Sequence, residues 1–155
     1  MAIDDLFDKP GYQIRRLRQI GAAIFSNEAA PYGVTSQQYT TLKALYESPG
    51  LEQVELCNLL SLDRSTMATL LARLEEKDLV RRAPARLDKR RRHVMLTPRG
   101  RRLLLSMAPS IERTQERILA PLAPAERIEF ARMLKALVQA HSETIDERDN
   151  AEEAS

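Results

Sequence analysis

Residues 61–97, SLDRSTMATLLARLEEKDLVRRAPARLDKRRRHVMLT, decide the fold. Met67, Leu70, Leu71 and Leu74 recur at spacings of three and four, the period of a helix buried along one side. Arg64, Ser65, Thr66, Thr69 and Arg73 occupy the rest of its circumference with short polar or cationic side chains. After Asp78 the period changes. Leu79-Val80-Arg81-Arg82 and Arg92-His93-Val94-Met95-Leu96 read as two strands around a tip carrying Arg86, Lys89, Arg90 and Arg91. The segment between them is short, so the pairing is expected to be antiparallel. A helix followed by a basic hairpin predicts a winged helix-turn-helix.

Working outward on the N-terminal side, Leu51 to Leu60 reads as a short helix with Val54, Leu56, Cys57 and Leu60 as its apolar positions, and residues 61–63 as the turn of the motif. Thr35 with Gln38 three residues later is the signature of a helix N-terminus, and Tyr39, Leu42, Leu45 and Tyr46 continue the buried side of that helix. Before it, Ile14, Leu17, Gly21, Ile24 and Phe25 describe a first helix from about Gly11 to Ala29, ended by Pro31 and Gly33. Residues 1–9 read as an arm. On the C-terminal side, Thr97-Pro98 opens another helix whose apolar positions run to Ile118, with Pro109 kinking or dividing it. Pro121 and Pro124 precede a further helix with Ile128, Phe130, Leu134, Leu137 and Val138.

The fold class is therefore mainly α with a small β-hairpin wing. The expected organisation is an arm at 1–9, an N-terminal dimerisation helix at 10–34, a winged helix-turn-helix at 35–97, C-terminal dimerisation helices at 98–142 and an acidic tail at 143–155. The outer helices exceed what a minimal DNA reader needs, and their apolar surface calls for a second copy of the chain. A single cysteine excludes an internal disulfide, and no apolar run reaches transmembrane length, so a cytoplasmic protein without a membrane partner is expected.

The net charge of +2 conceals an asymmetry. Arg64 to Arg102 carries 13 Lys and Arg against Glu75, Glu76, Asp78 and Asp88, a local balance of +9 that leaves −7 for the rest. Cations concentrated on a helix and hairpin suit contact with a polyanion, here double-stranded DNA. The helix dimensions fit the major groove, so Arg64, Ser65, Thr66, Thr69 and Arg73 are the candidate contacts there. Arg90 is placed in the minor groove and Arg91 and Arg92 at phosphates, with Asp88 holding the hairpin tip in shape through a charge-assisted hydrogen bond.

Several spacings together carry a family resemblance. Thr35-x-x-Gln38-x-x-x-Leu42, Leu56-Cys57-Asn58-Leu59-Leu60, Asp63-Arg64-Ser65-Thr66, Leu74-Glu75-x-x-Asp78-Leu79-Val80 and Asp88-x-Arg90-x-x-x-Val94-x-Leu96-Thr97 resemble the successive landmarks of MarR-family transcriptional regulators over residues 10–142. The resemblance implies a homodimer on a pseudo-palindromic operator, with a recognition helix in the major groove, a wing near the minor groove and terminal helices forming the dimer. It also implies control of nearby genes relieved by small aromatic acids, antibiotics, other phenolic compounds or oxidation. Two positions depart from the pattern: Asp78 stands at the usual glycine turn, and Cys57 where alanine is frequent.

A pocket like that of the family would lie between dimerisation helices and DNA-binding module. Tyr12, Arg15, Arg18, Tyr39 and Tyr46 are the candidate effector contacts, suited to a small aromatic carboxylate. The expected function is a dimeric repressor released by such an acid. The alternatives are a redox-responsive regulator using Cys57, or a helical interaction module that binds no DNA. His93 and His141 form no compact cluster with acids or the cysteine, so no catalytic site, metal site or cofactor is expected.

Overall fold

The computed structural model describes the backbone of residues 4–84 and 92–153, and the side chains of 5–83 and 92–142. The elements in chain order are α1 (Asp4–Phe7), α2 (Pro10–Ala29), a 3-10 turn (Ala30–Tyr32), α3 (Ser36–Glu47), α4 (Gln53–Leu60), α5 (Arg64–Glu76), β1 (Val80–Pro84), β2 (Arg92–Leu96), α6 (Pro98–Ser106), α7 (Ala108–Leu119) and α8 (Pro124–Glu153). The chain divides into two compact units, residues 1–115 and 116–155.

In the first unit the caps appear where the residue types demand them. Thr35 accepts from the Gln38 amide while the Gln38 side chain accepts from the Thr35 amide, closing a reciprocal capping box. Asp63 caps α5 through the Thr66 amide, and Thr97 caps α6 through the Gly100 amide. The long C-terminal segment is divided at Met107, with Pro109 in the first turn of α7, where its missing N–H costs nothing. Met67, Leu71 and Leu74 of α5 are buried against a core that includes Leu42 and Leu45 of α3, Leu56 of α4, Val94 of β2, and Met107. Each such side chain removed from water contributes about 1.5–3 kcal/mol.

β1 and β2 are antiparallel, with Val80 opposite Leu96 and Arg82 opposite Val94. A third short segment joins them: the Val94 amide donates to the Leu51 carbonyl at 2.9 Å, and Glu52 bridges His93 in antiparallel fashion. His93 Nδ1 lies 2.6 Å from the Gly50 carbonyl, a contact that places the donor hydrogen on Nδ1. The chain entering α4 is thereby tied to the hairpin.

One apolar position differs from expectation. α4 starts at Gln53 and buries Leu56 and Cys57, so Val54 points outward and is 49% exposed. In the second unit, α8 carries exposed Ile128, Met133, Leu134, Leu137 and Val138, and its helical backbone continues to Glu153.

Candidate nucleic-acid interface

The turn into α5 and the turn out of it are built alike. Ser61 adopts a left-handed conformation (φ 51°), with its amide donating to the Asn58 carbonyl and the Leu62 amide to that of Cys57. Asp78 repeats this at the other end (φ 57°), its amide donating to Glu75 O and the Leu79 amide to Leu74 O, both at 2.9 Å. Both are Schellman endings with a non-glycine residue in the left-handed position. At the second, Leu74 and Leu79 are both buried, which supplies the apolar contact such an ending uses.

Leu79 is also the point where α6 meets the hairpin. Its carbonyl accepts from the Thr97 amide at 3.1 Å, and the Thr97 hydroxyl donates to the Asp78 carbonyl at 2.6 Å while accepting from Gly100. A Cβ on Gly100 would sit 2.0 Å from the Leu79 oxygen, so only glycine allows this approach. Half-buried Arg82 on β1 pairs with half-buried Glu75 on α5. Lys77, just past α5, donates to the Gly33 carbonyl. These contacts fix the helix axis relative to the hairpin base and the α2–α3 junction.

On this frame Arg64, Ser65, Thr69 and Arg73 are exposed along α5, with Ser65 and Thr69 opposite its buried stripe and Arg64 and Arg73 to either side of them. Thr66 is only half exposed, and its groups are already engaged: amide and hydroxyl both donate to the Asp63 carboxylate, each at 2.7 Å. These bonds hold the Asp63 carboxyl below its ordinary pKa. The Thr69 hydroxyl donates to the Ser65 carbonyl at 3.1 Å. Arg92 is exposed at the start of β2, whereas Asp88, Arg90 and Arg91 lie outside the described residues. Cys57 is buried, and burial pushes its thiol pKa up while the nearby Arg64 charge opposes the shift.

The five candidate effector contacts have separate surroundings in the single chain. Tyr12 meets Phe7 edge-on at 5.1 Å between ring centroids, and Tyr39 meets Phe25 at 5.8 Å. Phe25 lies thirteen residues beyond Tyr12 on α2, about 20 Å along the axis. Tyr46 takes Lys43 and Arg101 near its ring, at 5.6 and 5.2 Å from its centroid. Arg15 and Arg18 are exposed on α2. A cleft of about 490 Å³ that the sequence did not indicate is lined by Tyr32, Lys77, Arg99 and Arg102 above Leu79 and Leu103. The only signal for it was that three of its cations fall within the basic stretch. Among the described residues, no cluster of His, Cys, Asp and Glu could hold a metal ion, and no helix is long and apolar enough to cross a membrane.

Comparison with known proteins agrees with this architecture. The MarR-family profile matches residues 32–91. The transcriptional regulator HosA of Escherichia coli O157:H7 is 33% identical over 133 residues, covering 86% of this chain and 97% of HosA. Among solved structures, the PcaV transcriptional regulator of Streptomyces coelicolor in complex with its natural ligand superposes with a TM-score of 0.81 at 33% identity, covering 91% of this chain and 99% of PcaV. Bordetella bronchiseptica BpsR, whose DNA binding is regulated by 6-hydroxynicotinic acid, gives a TM-score of 0.80 at 27% identity, covering 85% and 94% of the two chains. With these motifs, this fold and relatives matched over nearly their full lengths, the chain belongs to the MarR family of transcriptional regulators.

Proposed function

We propose that the protein is a homodimeric, sequence-specific DNA-binding repressor released by a small aromatic acid. The observation that carries the reading is α5 itself: Met67, Leu70, Leu71 and Leu74 anchor it in the core while Arg64, Ser65, Thr69 and Arg73 are exposed, Ser65 and Thr69 on the opposite side and the two arginines flanking them. A helix so held presents polar and cationic groups at major-groove depth, where base edges can be distinguished. Arg92 and the hairpin cations, including Arg90 and Arg91, supply phosphate and minor-groove contacts.

The exposed apolar side chains of α8 support dimerisation, since Ile128, Leu137 and Val138 on one helix form a surface that water disfavours. A two-fold dimer would place two recognition helices about 34 Å apart on a pseudo-palindromic site. Fluorescence anisotropy with operator and scrambled duplexes across a salt series tests the whole reading. Preference for the operator is expected, together with a steep loss of affinity as salt rises; equal, weak binding to both duplexes would refute it.

An aromatic acid as effector is favoured by BpsR, which responds to 6-hydroxynicotinic acid. Within this chain the Tyr32/Lys77/Arg99/Arg102 cleft pairs an aromatic ring with three cations, the chemistry of such a ligand. A carboxylate drawing on Lys77 would compete with the Gly33 carbonyl for the residue that ends α5, and so bias the recognition helix. Calorimetry with hydroxybenzoates and hydroxynicotinates, on the wild type and on Arg102→Gln, locates the site. Undiminished binding to Arg102→Gln would return the effector to Tyr12, Arg15, Arg18, Tyr39 and Tyr46.

A further inference from the structure

α5 does not offer its two threonine hydroxyls to DNA in the way its composition suggests. At about 100° per residue, the direction opposite Met67, Leu70, Leu71 and Leu74 is occupied by Ser65, Thr69, Ala72 and, in the last turn, Glu76. Thr69 has one hydroxyl hydrogen, and the Ser65 carbonyl takes it. The Thr66 hydroxyl hydrogen is taken by Asp63. What exposed Thr69 then has left for a partner is a methyl group and an oxygen that can only accept, with half-buried Ala72 one turn further on. Of the three hydroxyls on this surface, Ser65 keeps its hydrogen for a partner, while Thr66 and Thr69 do not, and the surface at Thr69 is apolar.

The one apolar group on a base edge in the major groove is the thymine C5-methyl. We infer that the Thr69 methyl, flanked by Ala72, is a specificity determinant that reads a thymine methyl in each operator half-site, while Thr66 serves the helix start and reads no base. This rests on the proposed placement of α5 in the major groove. It explains why a threonine, with its methyl, suits the outward position where a serine would provide the same bond to the Ser65 carbonyl.

Uracil differs from thymine only by lacking that methyl, which makes the inference separable from hydrogen-bond readout. An operator is first selected from a random duplex pool with the wild-type protein, and each thymine in it is then replaced by uracil one at a time. At one position per half-site the wild type is expected to lose affinity about fourfold, the worth of one buried methyl-sized group. Thr69→Val keeps the methyl and should retain the thymine preference. Thr69→Ser keeps the hydroxyl and should bind thymine and uracil duplexes equally. Position 69 is exposed, so both variants are expected to fold, which circular dichroism checks. Indifference of the wild type to every uracil, a preference that survives in Thr69→Ser, or its loss in Thr69→Val would each overturn the inference. Failure to select any operator would instead overturn the DNA-binding reading beneath it.

Discussion

Glu75, on the last turn of the recognition helix, is paired with the guanidinium of Arg82 on the first strand of the hairpin. The two side chains are 32% and 21% exposed, so the pair is neither fully screened by water nor fully desolvated. It spans a chain reversal at Asp78 that no glycine makes easy, and it joins the two elements proposed to contact DNA. Glu75→Gln and Arg82→Met are each expected to cost about 1 kcal/mol in urea unfolding. A double-mutant cycle should return a coupling on the order of 0.5–1 kcal/mol. Operator affinity is expected to fall further than stability does, because the pair sets the angle between helix and hairpin.

Gly100 tolerates no side chain. With a Cβ 2.0 Å from the Leu79 carbonyl oxygen, Gly100→Ala must push α6 away from the hairpin base or break the Thr97–Leu79 hydrogen bond. A loss of about 1–3 kcal/mol, the usual cost of overpacking, is expected in thermal or urea unfolding. A variant as stable as wild type would show that the close approach is not maintained in solution.

Asp78→Gly should stabilise the protein. The αL conformation costs a non-glycine residue about 1–2 kcal/mol, of which aspartate recovers part through local hydrogen bonding. Its negative charge also lies just past the C-terminal, negative end of α5. An increase of about 1 kcal/mol in the free energy of unfolding is expected, measured by urea titration at neutral pH. No gain would mean that the Asp78 side chain contributes a contact as favourable as the strain it bears.

The Cys57 thiol should be slow to react. Burial holds its pKa above the ordinary value of 9.0 in the folded chain. The neutral thiol therefore contributes stability that is complete below pH 9.0 and is lost as pH rises through the folded value. Alkylation by iodoacetamide at pH 8 is expected to accelerate when urea unfolds the chain. Cys57→Ala should show a shallower alkaline loss of stability than the wild type. Equal alkylation rates in folded and unfolded protein would place the thiol at the surface and favour the redox alternative.

Much of the fold was legible because it rests on local rules. Thr35, Asp63 and Thr97 are short polar residues ahead of apolar periodicity, and each caps a helix. Met67, Leu70, Leu71 and Leu74 declare their buried side by spacing alone, since 3.6 residues per turn leaves no other face for them. The hairpin followed from a change of period and a short connection. Val54 was misread because a short apolar helix can be rotated by one position without violating its pattern, and only docking in three dimensions chose.

The candidate site was less legible. Side-chain type marked Thr66 and Thr69 as candidate major-groove contacts, and the structure adds that the hydroxyl hydrogen of each is taken by a neighbour three or four residues away. Nor did spacing join Tyr32 to Lys77, Arg99 and Arg102, which are distant in the chain and meet only around this cleft. Sequence by itself determined the helices, their caps, their inward faces and the basic stretch, because those depend on periodicity and on bonds between near neighbours. Only the tertiary structure decided which polar atoms remain free, where a glycine is obligatory and how helix and hairpin are locked together. Those depend on distances between atoms such as Gly100 Cα and Leu79 O, which chain order does not contain.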